Sequence, residues 1–182
     1  MIGRLLSVTY PDAGGRVKDV RHIISILLEN ESGALSRVSG LFSARAYNIE
    51  SLTVAPTDDA TMSRITIVAH GADPVIQQII KQLNKLVDVV KVMDLTEHEH
   101  YEREVLLVKV CCTDGQSGML QDVIDSRHLR LLNTTENMRM LEATAASQEI
   151  DDILKDLSGF EIVEVVRSGV VGVGKSEAIL KI

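Results

Sequence analysis

The sequence predicts an α+β protein built from two tandem ferredoxin-like βαββαβ units, and three observations carry that expectation. Over residues 21–95 the apolar period switches between strand-like and helix-like in the order βαββαβ. The same order recurs over residues 104–182 without visible sequence similarity. Between them, residues 96–103 belong to a polar stretch, TEHEHYERE, that reads as a linker. A chain of 182 residues has room for two such small domains.

In the first unit, RHIISILLEN (21–30) is a near-continuous apolar run, as expected of a buried strand. Ser32-Gly33 opens a helix in which Leu35, Val38, Leu41 and Phe42 recur at three- and four-residue steps. A second strand over Ile49 to Ala55 stops at Pro56 and the turn formers Thr57, Asp58 and Asp59, and a third runs from Met62 to His70. Asp73 is placed as a cap with Pro74 at the first helical position, followed by a stripe of Val75, Ile76, Ile79, Ile80, Leu83 and Leu86. Val87 to Leu95 closes the unit as a strand.

In the second unit, Glu104 to Cys112 alternates as a strand, and Ser117 caps a helix carrying Leu120, Val123 and Ile124. Two strands flank the turn region Asn133 to Asn137. Ser147 caps a further helix with Ile150, Ile153, Leu154 and Leu157, ended by Gly159, and Phe160 to Val166 is the last strand. Each unit of roughly 75 residues leaves a sheet face or edge to be covered, which favours self-association.

Composition narrows the function. A net charge of −7, no Trp, three Tyr and two Phe argue against a nucleic-acid binder, which needs a basic patch or aromatic platforms. The charge is uneven, with ten basic and ten acidic residues in 1–95 but nine and sixteen in 96–182. Cys111 and Cys112 are adjacent, fit no metal or disulfide framework, and are expected to be buried structural thiols. No apolar run approaches a membrane span and the N-terminus lacks a signal peptide's apolar region, so a cytoplasmic location is expected.

Two motifs suggest chemistry and are discounted. GVVGVGKS (169–176) fits the spacing of a phosphate-binding loop, but too little chain follows to form the helix whose amides would hold phosphate. A flexible glycine-rich tail is expected instead. His98 and His100, with Glu97, Glu99 and Glu102, lack the spacing of ligands on one helix face, so no metal site is assigned. His22, His70 and His128 stand alone beside apolar residues, and no nucleophile–base constellation can be assembled. No catalytic residues are expected.

The turn Asn30-Glu31-Ser32-Gly33-Ala34-Leu35 stands out. Gly33 permits a sharp turn and leaves space for a ligand, while first-turn amides point outward and suit a carboxylate. Asn30 offers donors and an acceptor to an amino acid's two charged groups, and Asn48 supplies another such side chain at the entry to the second strand. On the residues alone, an ordinary capped helix is as good an account.

LLENESGALSRV followed by YNIESLTVAPT closely resembles the ACT domain of the small, regulatory subunits of acetohydroxyacid synthase, also called acetolactate synthase. The resemblance continues through KQLNKLVDVVKV, thins after Thr113, and returns at EIVEVVRSGVVGVGKSE. It implies an ACT domain over 21–95 for effector binding and dimerisation, and a C-terminal ferredoxin-like domain over 104–182. It also implies a homodimer paired through the ACT domains, and a large catalytic partner that uses thiamine diphosphate, magnesium and FAD. The chain itself would hold no cofactor and no metal. Its role would be to activate that partner and confer feedback inhibition by valine in branched-chain amino-acid biosynthesis. Asn30, Gly33, Ala34 and Leu35 would bind the effector from one protomer, with Asn48 and Ile49 from the other, and Ser36 as a neighbour. The family pattern begins near Arg21, so residues 1–20 are expected to be a leader, disordered or outside the native protein. Two other readings are a stand-alone amino-acid sensor acting on a transcription regulator or another enzyme, and a nucleotide-binding enzyme suggested by GVVGVGKS.

Overall fold

The computed structural model describes residues 20–45, 47–175, 177 and 180. The expected leader lies outside them, apart from Val20, which opens the first strand. In the first unit the elements are β1 (Val20–Glu29), α1 (Ala34–Ser43), β2 (Ile49–Pro56), β3 (Met62–Gly71), α2 (Asp73–Leu83) and β4 (Val89–Asp94). The strands form an antiparallel sheet in the order β2-β3-β1-β4, with β1 and β3 central and β2 and β4 at the edges.

The unbroken apolar run of β1 has a physical cause, since both faces of that strand are buried. Ile24, Ile26 and Leu28 pack with Ile65 and Ile67 of β3 against Val38 and Phe42 of α1 and Ile76, Ile79 and Leu83 of α2. On the opposite face, Ile23 packs with Val68, Leu95 and Val170, and Leu27 with Met62 and Leu180.

The second unit comprises β5 (His100–Cys111), α3 (Ser117–Ser126), β6 (Arg130–Thr134), β7 (Met138–Ala145), α4 (Ser147–Asp156), β8 (Glu161–Arg167) and β9 (Val171–Gly174). Its sheet order is β6-β7-β5-β8, with β9 also paired to β5. Leu106, Val108 and Val110 of β5 meet Leu141, Leu120, Ile150 and Ile153 in a separate core.

Several local expectations change. Residues 96–103 are not a bare connection: a 3-10 turn spans Leu95–Glu97, and β5 begins at His100. Within GVVGVGKS, where a flexible tail was expected, Val171–Gly174 is a strand that pairs antiparallel with His100–Arg103. The caps of α1, α2, α3 and α4 are Gly33, Ala72, Gln116 and Ala146. Ser32 therefore does not cap α1, and Ser117 and Ser147 sit one residue inside their helices. Cys112 is buried as expected, whereas Cys111 is partly exposed, because neighbouring side chains on a strand face opposite ways.

β5 exceeds its sheet partners in length. Leu106–Cys111 pairs with β8, and His100–Arg103 continues into a two-stranded ribbon with β9. This ribbon crosses the open face of the first sheet. At the crossing, Glu104 is 4% exposed. Its carboxylate accepts from Arg167 Nε (3.0 Å) and Nη2 (2.7 Å), Ser147 Oγ (3.4 Å) and the Gly169 amide (3.3 Å). Gly169 has φ 78°, and an added Cβ would lie 2.8 Å from Thr53 Oγ1 on β2. Burial pushes the Glu104 carboxyl up, but the Arg167 hydrogen bond and charge, with the Gly169 amide and Ser147, outweigh it and hold it below its usual value.

Replacing Gly169 with Val should therefore cost about 1–3 kcal/mol through backbone strain and the clash with Thr53. The expected readout is a melting temperature several degrees lower, whereas Gly159→Ala, with open space around it, should change little. Because the folded Glu104 value is depressed, its contribution is present above the ordinary glutamate value and is lost as pH falls through the folded value. Glu104→Gln should lower stability at pH 7 by roughly 1–3 kcal/mol, toward the low end because Arg167 keeps solvent and Asp151. The variant's deficit should shrink in denaturant titrations run at progressively lower pH.

Candidate functional site

The end of β1 and the start of α1 form the turn singled out by sequence. The Asn30 amide donates to the Thr61 carbonyl (2.7 Å) and its Nδ2 to the Ala60 carbonyl (3.0 Å), so the turn rests against the β2–β3 connection. One Asn30 donor is thus committed to structure, while its carbonyl oxygen faces no partner among the described residues. Gly33 caps α1 with φ 89° and ψ −12°, a left-handed conformation that a Cβ disfavours, and no side chain caps the helix. The Ala34 amide is taken by the Glu31 carbonyl (3.2 Å). The Leu35 and Ser36 amides remain as outward-pointing donors with the positive end of the helix behind them.

The six expected site residues are not gathered in one place. Ala34 is buried beneath α1 and can offer a ligand only backbone, whereas Leu35 is exposed. Asn48 is exposed just before β2, and Ile49 is half-buried against the core. Eight residues of α1, Ser36 to Ser43, separate the groups, a rise of roughly 12 Å. Asn30, Gly33, Ala34 and Leu35 stand at one end of that helix, and Asn48 and Ile49 at the other.

Two residues at the turn were not anticipated. Arg37, one helical turn after Gly33, binds Asp88 through both Nε and Nη2, the latter at 2.7 Å. Its Nη1 lies 3.0 Å from where a Gly33 Cβ would stand. The hydrogen bond from Arg37 holds the buried Asp88 carboxyl below its usual value, with burial opposing it and the Arg37 charge assisting. Glu29, Glu31 and Asp88 place carboxylate oxygens within 4.8 Å of one another beside this guanidinium. The sequence held the signals: Arg37 is four residues from Gly33 and so on the same helix face, and Asp88 interrupts the apolar run LVDVV.

Two of the histidines set aside by sequence, His22 and His70, are held in ordinary pairs. His22 is buried with Nδ1 2.9 Å from Asp94, and His70 Nε2 lies 2.6 Å from Glu50. His100 Nδ1 contacts the His98 carbonyl at 2.9 Å, so these two rings do not converge as ligands. Among the described residues, no helix is long and apolar enough to cross a membrane.

Residues 24–91 match the family described as the AHAS small subunit-like ACT domain, and residues 103–176 match the family described as the small subunit of acetolactate synthase. The chain belongs to the acetolactate synthase small-subunit family. The isozyme 3 small subunit of Salmonella typhimurium is 46% identical over 163 residues, 89% of this chain and 100% of that relative. The probable small subunit of Archaeoglobus fulgidus is 36% identical over 150 residues, 82% of this chain and 94% of its own length. Among solved structures, the acetolactate synthase small subunit of Thermotoga maritima is 30% identical with a TM-score of 0.77, covering 86% of this chain and 98% of that one. The two ferredoxin-like units are therefore a feature this chain shares with a solved small subunit.

The small-subunit turn depends on the Arg37–Asp88 pair, which fastens α1 to the segment entering β4. Asp88→Asn should lower the melting temperature and speed hydrogen exchange at Ala34 and Arg37, whose amides are bonded to the Glu31 and Gly33 carbonyls. Unchanged exchange at those amides would show that the pair does not order the turn.

Proposed function

We propose that this chain is the non-catalytic regulatory partner of a large acetolactate synthase subunit, which it activates and places under feedback inhibition by valine in branched-chain amino-acid biosynthesis. The partner would carry thiamine diphosphate, magnesium and FAD, and this chain none of them. Residues 21–95 would bind the effector and dimerise, residues 104–182 would form the second domain, and the complex would work in the cytoplasm.

The observation that supports this reading is the separation of the candidate residues by the length of α1. A ligand too small to span that distance can touch both groups only if a second protomer lies alongside in the opposite direction. β2 is an edge strand with a free side, and antiparallel pairing of two β2 strands would bring Gly33 of one chain toward Asn48 of the other. Valine's carboxylate would then meet the Leu35 and Ser36 amides, and its ammonium the Asn30 and Asn48 carbonyl oxygens. The exposed Leu35 would adjoin its side chain.

Valine can inhibit only by binding the less active arrangement more tightly, and a coupling of about 1–3 kcal/mol corresponds to a change of about 5- to 150-fold. Adding this chain to the catalytic subunit should stimulate acetolactate formation, and valine should reverse the stimulation. Gly33→Asp should retain stimulation and lose the valine effect, since the new side chain strains the turn and draws Arg37 away from Asp88. Absence of stimulation by the wild-type chain would overturn the regulatory assignment. Normal valine binding by the variant would overturn the site.

A further inference from the structure

Opposite α1 and α2, the open face of the first sheet and the β5–β9 ribbon flank a half-open cavity of about 770 Å³. That volume falls in the range of small-molecule sites, roughly 300–1,000 Å³. Its walls are mainly apolar, including Leu27, Met93, Leu95 and Leu180. Polar groups nevertheless line its floor. Thr53, Thr66 and Ser25 lie side by side in register across β2, β3 and β1. Ser25 is 1% exposed, and its Oγ has no hydrogen-bond partner among the described residues. A buried hydroxyl with no partner costs free energy that an incoming acceptor or donor would recover.

Two guanidiniums, Arg64 and Arg103, and two carboxylates, Asp58 and Asp59, line the cavity, and the opposite charges are not paired with one another. Arg64 is half-buried on β3, and its Nη2 donates to the Leu180 carbonyl at 2.8 Å. Among the described residues no carboxylate lies within 4 Å of Arg64 or of Arg103, the second guanidinium of the lining. Asp58 and Asp59 also line the cavity, from the β2–β3 turn. Asp59 is committed to that turn, accepting from the Thr61 amide (2.9 Å) and hydroxyl (2.7 Å).

We propose that this cavity is a second ligand site, distinct from the α1 turn, for a small amphipathic carboxylate whose acid group pairs with Arg64 and whose hydrocarbon lies against Leu27, Met93 and Leu95. An apolar chamber with a half-buried cation and an unsatisfied hydroxyl favours an anion with a hydrocarbon body over a neutral or polyanionic ligand. The site lies on the sheet face opposite α1, so it does not depend on the valine reading.

Octanoate is a suitable probe, with octanamide as its uncharged counterpart, titrated calorimetrically into the full chain. Octanoate should bind saturably at one site per chain, and octanamide about tenfold or more weaker. Arg64→Gln should weaken octanoate by a similar factor. Ala55→Trp, which fills the cavity from the exposed edge strand, should abolish binding while leaving the melting curve near wild type. If Arg64→Gln fails to fold, Ala55→Trp and the octanamide comparison decide the matter. No saturable octanoate binding, equal binding of octanamide, or unchanged affinity in Ala55→Trp overturns the proposal.

Discussion

A sheet with both helices on one side has a second face that must be covered, and here the cover comes from the other end of the chain. The β5–β9 ribbon can lie across the first sheet only because the strand following β8 bends at Gly169. That bend is held by the Glu104 carboxylate, which also gathers Arg167 and Ser147. The two cores are separate, and the bend that this carboxylate holds brings Val170 onto Ile23 and Val68 and the Ser168 carbonyl to Thr53, where the units meet. Two glycines of GVVGVGKS follow from the same constraint. Gly169 adopts a left-handed backbone, and an added Cβ at Gly172 would come within 2.6 Å of the buried Leu95. Two glycines of a motif with the spacing of a phosphate loop, Gly169 and Gly172, are thus set by close approach between the units.

The ACT unit uses charge differently. Arg37 and Asp88 join the first turn of α1 to the entry of β4, so the turn is braced from the side opposite the free β2 edge. The two outward amides of α1 remain available because neither Arg37 nor a capping side chain competes for them. Ser32 leaves them free since the αL conformation of Gly33 makes glycine itself the cap. A stronger cap at that position would stabilise the helix and occupy the donors that a carboxylate needs.

Most of the fold was legible in the sequence because period and burial agree. The stripes of α2 and α4 and the continuous run of β1 reflect a buried face, whereas in α1 the buried residues are Ala34, Val38 and Phe42 and the expected Leu35 is exposed; α2 ends at Leu83, before the expected Leu86. What was not legible depended on contacts between units. β9 has four residues, two of them glycine, and is a strand only because β5 is long enough to pair with it. Val68 and Thr66, which alternate along β3 with the core-facing Ile65, Ile67 and Ala69, are buried because the ribbon covers them. At the candidate site, Gly33 and the first-turn amides could be inferred from local chemistry. The Arg37–Asp88 pair could not, since it joins residues 51 apart in sequence.

The distribution of residues along α1 ties the proposed regulation to geometry. If the effector occupies a site completed by a second chain, its affinity depends on how two β2 edges are aligned, and reciprocally its binding biases that alignment. The same sheet carries β2, whose Thr53 hydroxyl donates to the Ser168 carbonyl at 3.3 Å, immediately before the Gly169 bend. A change at the β2 edge is therefore adjacent to the junction between the units. On this reading, the chain needs no moving lid to convey an effector's presence, because one edge strand serves the dimer contact, the ligand site and the junction between units.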